Sequence, residues 1–126
     1  MNERQAASSG IARVLLVCER WPERALLRAA LLEEGMKVVG ARDLYEGLAR
    51  MEAEQFDLVV VDLPCSGQKA LRTLREKWPR TPLLLLSGPF ACLSLTPEDG
   101  PPEAHLLERP FRVEDLIRRV RIILGE

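Results

Sequence analysis

What is scarce in this sequence narrows it first. There is one histidine, His105, and there are three cysteines, Cys18, Cys65 and Cys92. A lone imidazole with no second ligand or nucleophile at a suggestive spacing is read as structural. The cysteines are odd in number and lack the paired spacing of zinc sites, which argues for reduced thiols rather than a disulfide framework. A surplus of charge of one sign is lacking too: 18 Lys and Arg against 19 Asp and Glu leave a formal net charge of -1. That balance points to neither a nucleic acid nor a membrane surface as partner. No apolar run reaches the length needed to span a bilayer, and the opening MNERQAASSG has no apolar stretch behind its charges. The expectation is a soluble, cytoplasmic chain. Repeats and low-complexity segments are missing as well. The 126 residues suffice for one compact core and not for two ordinary domains. Residues 1–10 are expected to be a disordered tail ahead of one domain over 11–126.

What is present is a regular alternation. Short apolar runs bounded by turn or charged residues predict strands at Val14–Val17, Lys37–Ala41, Leu58–Val61, Leu83–Leu86 and Ala104–Leu107. Runs apolar at every position suit strands covered on both faces. Helical spacing fills the intervals. The first helix opens near Pro22, whose missing N–H costs nothing at that position, and ends before Gly35. Asp43 and Glu46 read as a capping box for a second helix, with Leu44, Leu48 and Met51 on one face. A third aligns Ala70, Leu71, Leu74 and Trp78 before Pro79 stops it. The last has the cleanest stripe: Val113, Leu116, Ile117, Val120 and Leu124.

Strands alternating with helices predict an α/β fold, a doubly wound parallel sheet with helices on both faces. Parallel neighbours need right-handed crossovers, and each crossover helix covers one face. Five strands is the flavodoxin-like size, with strand order 2-1-3-4-5. Between Gly88 and His105 the prolines 89, 97, 101 and 102 interrupt helical spacing, so the fourth helix that the alternation requires is expected to be short or irregular.

In such sheets ligands sit beyond the carboxyl ends of the strands. Those ends carry Cys18 and Glu19, Asp62, Ser87, and Arg109-Pro110-Phe111. Two carboxylates, a hydroxyl and a cation at one edge suit phosphoryl chemistry: one acid to accept the group, a second to help hold Mg²⁺, and the hydroxyl and cation to bond its oxygens. Here the chain resembles the response-regulator receiver family, the CheY-like domains, over roughly residues 12–124. DLVVVDLP, Asp57 to Pro64, resembles the third strand of that family ending in its phosphoacceptor aspartate, here Asp62. Ser87-Gly88 resembles its hydroxyl-plus-small pair, and Arg109-Pro110-Phe111 its Lys-Pro-Phe.

Measured against that family the sequence departs at several points. Cys18 replaces the first of two adjacent acids, leaving Glu19 as the second with Arg20 beside it as a competing cation. Glu19 and Asp62 are then the metal ligands, and Mg²⁺ binding is expected to be weakened or lost. Arg109 replaces the lysine, and its planar fork is expected to clamp Asp62 in two bonds. The loop after Asp62 is short, which leaves open the carbonyl near Pro64 that would complete a metal site. Leu106 stands at the position of the switch aromatic.

Three readings remain. The first is a degenerate, non-enzymatic receiver acting as a signalling module through protein contacts, with a histidine kinase or a downstream signalling protein as partner and a homodimer also open. The second is a working relay in which a histidine kinase phosphorylates Asp62 with Mg²⁺ at Glu19 and Asp62, Ser87 and Arg109 contacting the phosphoryl group. The third is a phosphatase, because Cys18 to Arg24 satisfies the Cys-x5-Arg spacing of cysteine phosphatases. Against it stand Glu19 and Glu23, which repel phosphate, and Pro22, which has no N–H to donate.

Overall fold

The computed structural model describes residues 10–63, 70–87 and 104–125. In chain order its elements are β1 (Arg13–Val17), α1 (Trp21–Glu33), β2 (Lys37–Ala41), α2 (Leu44–Ala53), β3 (Leu58–Asp62), α3 (Ala70–Lys77), β4 (Leu83–Ser87), β5 (Ala104–Glu108) and α4 (Val113–Leu124). The strands form one five-stranded sheet in the order β2-β1-β3-β4-β5, with all four pairings parallel. This is the flavodoxin-like order expected from the alternation. The expected tail at 1–10, apart from Gly10, and the expected short helix between β4 and β5 lie outside the described residues.

The reason the strand runs are apolar throughout is visible in β3, which is buried along its whole length. Alternate residues point to opposite faces of a strand. Val59 and Val61 therefore join one cluster with Leu15, Val17, Leu83 and Leu85, roofed by Leu44 and Met51 of α2 and Leu71 and Leu74 of α3. Leu58 and Val60 join the other with Val14, Leu16, Leu84 and Leu86, roofed by Leu27 and Leu31 of α1 and Leu116 and Val120 of α4. Each central strand is thus a dry layer between two helical layers.

Local chemistry fixes the helix ends. Asp43 Oδ1 accepts from the Glu46 amide at 2.8 Å, while the Glu46 carboxylate reaches back to the Arg42 amide at 3.0 Å. The reciprocal half of the expected capping box thus falls one residue before the cap. Gly125, at φ 80°, closes α4 in the left-handed conformation that glycine adopts without steric cost. The stripe of α4 is shorter than its spacing suggests. Leu116 and Val120 are buried and Ile117 and Leu124 pack partly buried, but Val113, the first helical residue, is exposed.

Among the described residues no helix is long and apolar enough to cross a membrane.

Candidate functional site

The carboxyl ends of β1, β3 and β4 open on one edge. Asp62 is the last residue of β3 and Cys18 follows β1 directly; by strand alternation both fall on the face covered by α1 and α4. Asp62 is only 5% exposed. Its two oxygens have separate partners. The Cys18 thiol donates to Oδ2 at 3.4 Å, and Arg109 Nη2 forms an ion pair with Oδ1.

Arg109 follows β5 and is held there by its backbone, whose N–H donates to the Ser87 carbonyl at 2.8 Å. The Arg109–Pro110 peptide is cis. The guanidinium carbon lies 5.5 Å from the centre of the Phe111 ring, a cation–π arrangement. Nη2 also donates to Glu23 Oε1 at 2.7 Å. One nitrogen therefore joins two carboxylates from different elements. This corrects the expected two-bond grip on Asp62: the second contact of Nη2 goes to α1. Burial alone would disfavour the Arg109 cation, but its hydrogen bonds to Glu23 and Asp62 and the charges of both acids outweigh that and raise its pKa above the ordinary value.

Glu23 is the site residue that sequence reasoning missed as a partner of the pocket. It lies 86 residues from Arg109, and only the return of the chain after β5 brings the two together. The available signal was an acid in the first turn of a helix that starts beside the pocket. Glu23 also pairs through Oε2 with Arg20. Arg20, expected to compete as a cation within the pocket, instead lies largely in solvent. Glu19 is exposed, and Ser87 is fully buried at the end of β4. Leu106 is exposed on β5, its carbonyl accepting from Arg119 Nη1 at 2.9 Å.

The same geometry argues against the phosphatase reading. Burial, together with the charge of Asp62 and the hydrogen bond to it, pushes the Cys18 thiol from 9.0 up to about 12, where cysteine nucleophiles need a lowered pKa. Arg24 donates through Nη1 to the Cys18 carbonyl at 2.7 Å, so its guanidinium braces the backbone after β1. The raised thiol has a stability consequence. A group whose folded pKa exceeds its unfolded value holds its proton longer in the native state, so its contribution is complete below the unfolded pKa and fades as pH climbs toward the folded one. The native state should therefore lose stability between about pH 9 and about pH 12 by a few kcal/mol, on the scale of about 1.4 kcal/mol per pH unit. Cys18→Ser, which keeps a donor for Asp62 and removes the titration, should flatten that slope in urea melts across the alkaline range.

The chain matches no protein-family model. Among curated proteins it is 30% identical over 123 residues to the KDP operon transcriptional regulatory protein KdpE of Escherichia coli, covering 90% of this chain and 52% of that one. It is 28% identical over 116 residues to the response regulator receiver protein CpdR of Brucella abortus, covering 89% of this chain and 96% of that protein. Over about nine tenths of its length the chain is similar to response-regulator receiver proteins. It spans about half the length of KdpE and nearly all of CpdR. Solved structures agree with the fold: a response regulator receiver protein of Sinorhizobium medicae superimposes with a TM-score of 0.80 at 24% identity, over 94% of this chain and 98% of that one. The chemotaxis response regulator CheY4 of Vibrio cholerae gives 0.77 at 23% identity, over 90% and 98%. Asp62, at the end of the third strand, is in contact with an arginine and a thiol.

Proposed function

We propose that this chain is a receiver, a signalling module that acts through protein contacts, with Asp62 a clamped structural carboxylate at the phosphoacceptor position. The observation that carries this is the Arg109 guanidinium seated on Asp62 and tied behind by Glu23. An aspartate accepts a phosphoryl group by attack through a carboxylate oxygen, which must be presented to the donor. Here Oδ1 faces a cation fixed by two acids, and Oδ2 faces a thiol.

The donor set does not suit Mg²⁺. That ion favours near-octahedral oxygen ligation, and a neutral thiol supplies none of it. Cys18, with a pKa of about 12, is neutral at physiological pH. Glu19, the other acid assigned to the metal, is exposed, and among the described residues there is no group of three or more metal-ligating side chains. The partner is a protein, either a histidine kinase or a downstream signalling protein, in the cytoplasm. Residues 11–126 form the one receiver domain. Phosphorylation of Asp62 with Mg²⁺ at Glu19 and Asp62 would require Arg109 to withdraw from Oδ1.

Amide spectra of the chain titrated with Mg²⁺ and a beryllofluoride mimic of the phosphoryl group test the reading. No movement of the resonances of Cys18, Asp62 and Arg109 is expected. Saturable shifts at those three positions would transfer the assignment to the relay.

A further inference from the structure

Helix α1 is apolar on both sides. Its 13 residues, WPERALLRAALLE, bury Leu27 and Leu31 against the sheet. At about 100° per residue, Trp21, Ala25, Leu26, Ala29 and Leu32 fall between about 120° and 260° around the helix from Leu27, on the side away from the sheet. All five are exposed, Trp21 by 69% and Leu26 by 71%. Glu33 borders this face at its far end, and an apolar face of this length, about 20 Å, marks a contact surface.

We infer that this face is a dimerisation surface, and that its occupant is α1 of a second copy of the chain running antiparallel. The argument is self-complementarity. A twofold axis passing between Leu26 and Leu27 relates residue pairs whose numbers sum to 53. It sets Trp21 against Leu32 of the second copy, so that the largest exposed ring at one end covers an exposed leucine at the other. Ala25 and Ala29 flank the crossing point, where small side chains let two helix axes approach to the short end of the usual range of about 8–10 Å. The same register sets Arg20, whose side chain is 68% exposed, opposite Glu33, which is exposed. The antiparallel arrangement brings Arg20, which within the chain also pairs with Glu23, to Glu33 at both ends, and the two helix dipoles oppose one another as well. A twofold contact of this kind is isologous, each copy offering the same patch.

Sedimentation velocity on the full chain over a broad concentration series tests this. The wild type should sediment as a dimer at the upper concentrations. Trp21→Glu and Leu26→Lys should each weaken dimerisation by at least about tenfold while leaving far-UV circular dichroism unchanged, and thermal stability unchanged at concentrations where the wild type is monomeric, since both residues lie on the surface. Ile122→Lys, at an exposed apolar position on α4, should leave the dimer intact. Arg20→Glu and Glu33→Arg should each weaken the dimer, and the two combined should restore it. A chain that stays monomeric throughout overturns the inference. So does a dimer indifferent to Trp21→Glu and Leu26→Lys, or one lost in Ile122→Lys.

Discussion

Arg109→Met should lower the free energy of unfolding by about 2–4 kcal/mol, far more than a typical surface substitution. The reason lies in what is left behind. Asp62 is 5% exposed, so removing the cation strands a carboxylate that water can barely reach, with the weakly donating Cys18 thiol still against it. Removing one member of a buried pair is costly because the other charge remains uncompensated, whereas replacing both members is often close to neutral. Asp62→Asn combined with Arg109→Met should therefore be more stable than Arg109→Met alone. The cycle should show a coupling of at least about 1.5 kcal/mol, as expected for side chains in direct contact. Urea unfolding of the wild type, the two single variants and the double variant measures it. A loss below about 0.5 kcal/mol in Arg109→Met would place that arginine among ordinary exposed ion pairs, which contribute little.

Cys18→Asp should produce the second large effect, and with opposite signs in two buffers. The thiol lies 3.4 Å from Asp62 Oδ2. A carboxylate there sets two like charges in contact inside a nearly dry site, so in chelator the variant should lose about 3 kcal/mol or more relative to the wild type. That loss should shrink toward acid pH, because protonating one of the pair relieves the repulsion: the shared pKa is raised in the folded state, and stability falls as pH rises through it. Mg²⁺ should reverse the loss. Two adjacent carboxylates offer the hard oxygen ligands that the thiol withholds, and a ligand at a hundred times its dissociation constant adds about 2.7 kcal/mol. Thermal melts with chelator and with Mg²⁺ should separate the variant strongly, while the wild type should melt alike in both. A wild type stabilised by Mg²⁺ would mean that the pocket holds metal despite its thiol.

The fold was legible in the sequence because burial on both faces leaves a plain mark. Val59, Val60 and Val61 are apolar in succession since each meets a helix on its own side of the sheet. The end of β3 was legible for the same reason: a charged residue closing such a run, as Asp62 does, needs partners. Arg109 could be placed beside it because strand order brings the exit of β5 to the same edge. The rest depended on approach directions that one-dimensional spacing does not carry. Glu19 precedes α1 and faces solvent, while Glu23, one helical turn onward, faces Arg109. Both are acids near the same pocket, and only the entry angle of α1 separates them. Arg20, whose place next to Glu19 suggests a competing cation, lies largely in solvent, tethered to Glu23. Val113 fits the period of α4 and yet is exposed at its first turn, since periodicity gives the face of a helix and not how far along it the packing extends.

The clamp on Asp62 is tested most directly by incubating the wild-type chain with a small phosphodonor and Mg²⁺, beside a competent receiver as control, and reading intact mass. The expected result is an unmodified chain while the control gains one phosphoryl group. A phosphoryl adduct on the wild type that disappears in Asp62→Asn would contradict the clamped reading and show that Asp62 accepts the group.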